Sequence, residues 1–244
     1  MKKNLLKAYI RELINEIAME DVETSSDPLD WITAAYQSPE EWESKTPFEA
    51  MLKALSKFGL KQIGEGSSRL VFELDGNSVV KLARDEKGLA QNELEVTAGR
   101  DPQVESIISG VLDYDPEFYW VVSKKVIPLH DAEVSKAEKI IGVPWNEVRK
   151  MMGLSARSEY DATAPVGGQK PGVAQRVQPV GRENCMTGND FLSAISSFME
   201  RYKDMLPGDL AKLSSWGITD EGCLVLLDYG ITTKKFRELY KQNQ

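Results

Sequence analysis

Two segments far apart in the chain carry residue types suited to holding phosphate. The first, IGEGSSRLVFELDGNSVVKLA from Ile63 to Ala83, opens on the turn Gly64-Glu65-Gly66-Ser67-Ser68 and ends in a strand pattern that carries Lys81. Glycine lets backbone N–H groups approach phosphate oxygens closely, and the hydroxyls of Ser67 and Ser68 would add donors. By itself such a turn between strands serves structure as readily as ligand binding. Lys81 sharpens the reading, because it lies within Ser78-Val79-Val80-Lys81-Leu82-Ala83. On a central strand its ammonium must meet a carboxylate or a phosphate, since an unpaired buried charge is costly; on an edge strand it would reach water instead. The second segment, CLVLLDYG from Cys223 to Gly230, reads as a buried strand that delivers Asp228, a carboxylate of the kind that holds a divalent cation.

A counter-charge for Lys81 is expected from the helix that follows it, LAQNELEVTAG. Glu93 and Glu95 both qualify by distance along the chain. Two residues apart on a helix they point about 200° from one another, so only one can face Lys81. Glu95 is preferred, and either one taken singly could be a solvated charge.

The elements that must position these groups follow from periodicity. Apolar alternation predicts strands over 70–74 and 78–83 joined by a tight Asp75-Gly76-Asn77 turn, in which the Asp-Gly pair is expected to supply positive φ. Further strands are expected over about 58–63, 107–114 and 118–126, with a helix over 87–99 between them. The result is a five-stranded antiparallel sheet with one intervening helix. Helices are expected over 29–36 and 47–58 before it, and over 132–141, 145–152 and 189–205 after it. Residues 1–19 carry Leu5, Leu6, Tyr9, Ile10, Leu13, Ile14 and Ile17 at helical spacing, for packing on their own domain or for docking a protein partner. Between about 155 and 188 the chain is too poor in large apolar residues to offset its ordering entropy, and a mobile loop is expected. The terminal segment from Thr232 reads as a charged helix.

Composition narrows the function classes. The chain has 244 residues, 30 basic and 38 acidic, for a formal charge of -8. That balance argues against binding to a nucleic-acid backbone. No apolar run approaches the length of a membrane helix, so no membrane contact is expected. With only Cys185 and Cys223 available, neither a disulfide framework nor a four-ligand zinc site can be built, and a reducing compartment is expected. The sole histidine, His130, suits a helix start better than catalysis.

The order of glycine loop, VVK lysine, helix glutamate, strand WVVSKKVIPL and DYG resembles the protein-kinase-like superfamily. The segments VVKLA, AQNELEV, DYDPEFYWVVS and SSWGITDEGCLVLLDYG are similar to kinase-fold proteins of tailed bacteriophages, and the KNLLKAYIRELINEI leader to those of marine phage proteins. The resemblance covers about 58–231. It implies an α+β, two-lobed fold: a helical extension over 1–57, a sheet-bearing lobe over 58–127 and a shortened helical lobe over 128–244. It implies ATP and magnesium as cofactors. Gly64, Gly66, Ser67 and Ser68 would cover the phosphates, Lys81 would hold them with Glu95 or Glu93 behind it, and adenine would lie near 123–126. Asp228 would bind the metal. Asp209, 19 residues before Asp228, would be the catalytic base.

The chain departs from that pattern at functional positions. Arg69 stands where the third loop glycine belongs. The catalytic loop reads Pro207-Gly208-Asp209-Leu210-Ala211-Lys212-Leu213-Ser214-Ser215, with no His-Arg pair and no Asn, so Ser214 or Ser215 falls at the second metal ligand. Only 14 residues follow Gly230, too few for a peptide-docking platform. Two functions are therefore expected: an ATP-dependent phosphotransferase acting on a hydroxyl acceptor, or a pseudokinase that binds nucleotide or protein partners. Either would work in the host cytoplasm or in association with a virion.

Overall fold

The structure, a computed structural model, describes residues 25–153, 185–202, 210–230 and 232. The leader helix expected over 1–19, most of the loop expected over 155–188, Asp209 and the terminal helix lie outside those residues. Two helices come first, α1 (Pro28–Gln37) and α2 (Pro47–Phe58). Both begin on proline behind a capping side chain: Asp27 accepts from the Leu29 N–H, and Thr46 Oγ1 from the Glu49 N–H at 3.2 Å. Gly59, at φ 87°, supplies the left-handed residue that ends α2.

Next come β1 (Lys61–Glu65), β2 (Arg69–Glu73), β3 (Ser78–Ala83), α3 (Glu86–Gly99), β4 (Val111–Tyr114) and β5 (Trp120–Lys124). The strands form one antiparallel five-stranded sheet in the order β1-β2-β3-β5-β4, which places β3 at its centre with all six residues buried. Side-chain alternation gives the sheet two different faces. Leu70, Phe72, Val80, Leu82, Trp120 and Val122 pack against Trp31, Ile32, Ala35, Met51, Ala54 and Leu55 of α1 and α2 in one hydrophobic core. Arg69, Lys81 and Ser123 belong to the opposite face, because Lys81 pairs with Val71 and Val121, Arg69 with Ala83, and Ser123 with Val79. Helix α3 covers that face.

Beyond β5 lie β6 (Ile127–Pro128), α4 (Val134–Ile141), α5 (Trp145–Met151), α6 (Gly188–Arg201), β7 (Trp216–Ile218) and β8 (Leu224–Leu226). The last three strands make a small antiparallel sheet, β6-β7-β8, that periodicity did not predict beyond the β8 segment. Runs of two or three residues are too short to show alternation. A second core gathers Ile107, Leu129, Ile141, Trp145, Phe191, Phe198, Trp216 and Leu226 with Ala98 of α3. Among the described residues no helix is long and apolar enough to cross a membrane.

Three expectations need correction. Gly76 is not among the residues at positive φ; the β2–β3 turn is instead held by Asp75, whose Oδ1 accepts from the N–H groups of Asn77 at 2.6 Å and Ser78 at 2.7 Å. A carboxylate two residues before the amide it binds makes a turn without a left-handed residue. The strand expected over 107–114 starts only at Val111, since Glu105–Ile107 form a 3-10 turn and Ser109 donates its N–H to the Leu226 carbonyl at 2.9 Å. Finally, Cys185 and Cys223 form a disulfide that joins the approach to α6 to the β7–β8 connection. What this corrects is the expectation that the two cysteines stay unpaired, and nothing local in the sequence marks residues 38 apart as neighbours. Reduction is expected to lower stability by roughly 2–4 kcal/mol, because it releases a long closed loop. Paired thermal melts with and without a thiol reductant, and of Cys185→Ser, test this; coincident curves would disprove it.

Candidate functional site

Lys81 and Glu95 form a buried ion pair between the centre of the sheet and α3. Helical phase explains the choice: Glu95 and Asn92, three residues apart, face the sheet, while Glu93 is exposed. The Lys81 Nζ also donates to the Leu227 carbonyl at 3.3 Å. This brings the end of β8, and with it Asp228, to the same place.

Arg69 completes the cluster. Its NH1 donates to Glu95 Oε2 at 2.6 Å and to Asn92 Oδ1 at 3.3 Å, and its NH2 reaches Asp228 Oδ1 at 3.4 Å. By the glycine-loop pattern this arginine is only a missing glycine. A signal was available, since hairpin register puts Arg69 on the Lys81 face of the sheet. Ser123, expected near an adenine, is fully buried and donates its hydroxyl to Glu95 Oε1 at 2.7 Å.

The support behind Arg69 extends to α1. Asn92 Nδ2 donates to the Phe118 carbonyl at 2.8 Å. Phe118 is left-handed, at φ 64°, a conformation a bulky residue keeps only when its surroundings over-determine it. Asp115 does so: its Oδ2 accepts from the N–H groups of Glu117 at 2.9 Å and Tyr119 at 3.1 Å, and its Oδ1 from the Tyr36 hydroxyl at 2.7 Å. Burial, then that bond to Asp115, pushes the Tyr36 phenol up to about 12.

Charge counting explains how these groups titrate. Burial is the largest influence on Glu95 and pushes its carboxyl up, but Lys81, Arg69 and the bonds from Lys81 and Ser123 together outweigh it and hold the group at about 2. Burial lowers Lys81; the Glu95 charge opposes this, Arg69 repels the ammonium, and the net direction stays downward. Arg69 is raised: burial works against its charge, but Glu95 and Asp228 more than compensate. The partners of Glu95 thus differ: Asp228 acts strongly on Arg69, which it touches, and only weakly on Lys81, which Arg69 also repels. Two cations and one anion are buried, while the Asp228 side chain is 56 % exposed. The buried cations outnumber the buried anion by one, and Asp228 at the rim brings the whole to neutrality.

Phosphate fits such a cluster. The glycine turn beside it is closed by the Gly66 N–H donating to the Arg69 carbonyl at 2.9 Å, so the turn itself uses that donor. Gly64 sits opposite Val71, which in turn lies opposite Lys81. A Cβ on Gly64 would press to 3.3 Å from the Val71 Cβ. Ser67 is exposed and Ser68 buried, with their hydroxyl oxygens 3.5 Å apart.

Magnesium would find a cation already beside its expected ligand. Asp228 Oδ1 already accepts from Arg69 and, at 3.2 Å, from the Gly230 N–H. Ser215 is buried, and its carbonyl accepts the N–H groups of Leu227 at 2.8 Å and Asp228 at 3.3 Å. No group of three or more His, Cys, Asp or Glu able to hold a metal occurs among the described residues. A fixed guanidinium adjoins the exposed Asp228 carboxylate, and like charges repel, so Arg69 opposes a cation at this position. His130 begins a 3-10 turn, its N–H bound to Glu133 Oε2 at 2.9 Å.

No protein-family model and no curated protein matches the chain. Among solved structures it is similar to SAICAR synthase from Saccharomyces cerevisiae complexed with SAICAR, at 12% identity over 72% of this chain and 74% of that one, with a TM-score of 0.30. A superposition at that level assigns neither activity nor ligand.

Proposed function

We propose that this chain is a nucleotide-binding protein of two-lobed, protein-kinase-like architecture, phage-encoded, and built as a pseudokinase. The observation that carries the reading is the buried Lys81–Glu95 pair, with Arg69 beside it and Asp228 exposed at its rim. The two separate cores, one on the five-stranded sheet and one among α4, α5 and α6, support two lobes meeting at that cluster. Phosphoryl transfer in protein kinases needs both the strand lysine paired to the helix glutamate and the strand-end aspartate on magnesium. The first arrangement is formed. The second is replaced by Arg69, which favours binding over transfer.

A phosphotransferase acting on a hydroxyl acceptor is the second reading, favoured by the formed Lys81–Glu95 pair. Asp209, its base, lies outside the described residues. The leader stripe over 1–19 is proposed as a docking helix for a protein partner, in the host cytoplasm or on a virion.

Calorimetric titration with ATP tests the proposal. Lys81→Ala is expected to weaken binding about tenfold or more, the worth of a charge-assisted hydrogen bond to phosphate. Equal affinity for the wild type and Lys81→Ala would refute the site. Transfer of labelled phosphate to small hydroxyl acceptors would move the assignment to the second reading.

A further inference from the structure

Where the second loop serine ends and β2 begins, the chain places a guanidinium instead of a glycine, and that guanidinium is built in. The Arg69 side chain is 10 % exposed, gripped by Glu95 at 2.6 Å and by Asn92 at 3.3 Å, and Asn92 is itself anchored to the Phe118 carbonyl. Its weakest contact is the 3.4 Å bond to Asp228, the most exposed member of the cluster. The carboxylate thus behaves as an exchangeable anion over a fixed cation. Guanidinium is planar and forks toward two oxygens, a match for phosphate as good as for carboxylate.

We propose that Arg69 stands in for a divalent cation: the phosphates of a bound nucleotide are neutralised by Arg69 together with Lys81, Asp228 swings aside into solvent, and magnesium is not required. This rests on the nucleotide-binding reading given above. Asp228 then acts as a competitor of the ligand and not as its metal bridge, which reverses the sign expected for its removal.

Titrations of ATP into the full chain in EDTA and in excess magnesium test this directly. The wild type is expected to bind at least as tightly in EDTA as in magnesium. Asp228→Asn, a change at an exposed side chain that leaves Arg69 seated on Glu95, is expected to tighten binding in EDTA several-fold, and Arg69→Lys to weaken it about tenfold, as loss of a forked contact does. Manganese alone, followed by its electron paramagnetic resonance signal, is expected to stay free in the presence of the protein. Binding that requires magnesium, or that Asp228→Asn abolishes, would overturn the inference while leaving the nucleotide reading intact. A cooperatively melting wild type that binds ATP in neither condition would remove both.

Discussion

Glu95→Ala is expected to cost roughly 3–5 kcal/mol, because it strands two buried cations at once. Lys81→Met is expected to cost far less, within about 1.5 kcal/mol, although it breaks the same ion pair. The asymmetry comes from the count of charges: Glu95 keeps Arg69 when Lys81 is lost, whereas neither cation keeps a buried anion when Glu95 is lost. Denaturant midpoints of the two variants check the order, and equal losses would contradict it. Acid adds a second readout. The Glu95 carboxyl is depressed in the folded chain from 4.5 to about 2, so its contribution is fully present above about pH 4.5 and disappears as pH falls toward 2. A depression of that size corresponds to about 3 kcal/mol. Glu95→Gln is expected to flatten the stability profile across that window; an unchanged slope would show that other carboxylates govern it.

Gly88→Val is expected to cost roughly 3–5 kcal/mol and to abolish the proposed nucleotide binding with it. Gly88 sits in the first turn of α3, where a Cβ would lie 2.3 Å from the Ser68 carbonyl oxygen and 2.8 Å from the Ala83 Cα. Both neighbours are backbone, one leading into the strand of Arg69 and one ending the strand of Lys81. They cannot rotate away. Helix propensity alone favours replacing a glycine by about 1 kcal/mol for alanine, so the sign of the measured change decides which effect governs. Gly76→Ala serves as the control. No atom lies within 4 Å of a Cβ there and φ is not positive, so little change is expected. Thermal melts of both variants suffice, and a stable Gly88→Val would mean that α3 stands farther from the sheet than described.

These effects also show which parts of the site could be read from residue order. Lys81 and Glu95 were legible because each obeys a strong period: alternation along a strand fixed the face of the lysine, and helical phase separated Glu95 from Glu93. Arg69 obeys the same alternation, but against a glycine-loop pattern it counts only as an omission, which hides its positive role. The tie between Asn92 and Phe118 depends on a left-handed phenylalanine, which no local propensity predicts. The disulfide and the strand Trp216–Ile218 required tertiary neighbours: the partners of β7 are two residues after β5 and three after a turn. Asp75 gave a different lesson, since its side chain replaced the glycine as the maker of the turn.

The packing of α1 and α2 across the back of the five-stranded sheet carries a practical consequence. The position of β1 would suggest trimming the chain to residue 58 for expression. Such a truncation would bare Leu70, Phe72, Val80, Leu82, Trp120 and Val122 to solvent and cut away the Tyr36 hydroxyl that steadies Asp115. The shortened polypeptide should aggregate, and its failure to bind a ligand would then reflect a lost back wall and not a lost pocket. Fragments meant to report on the cluster must therefore begin ahead of Ser25, whose carbonyl still anchors the indole of Trp31.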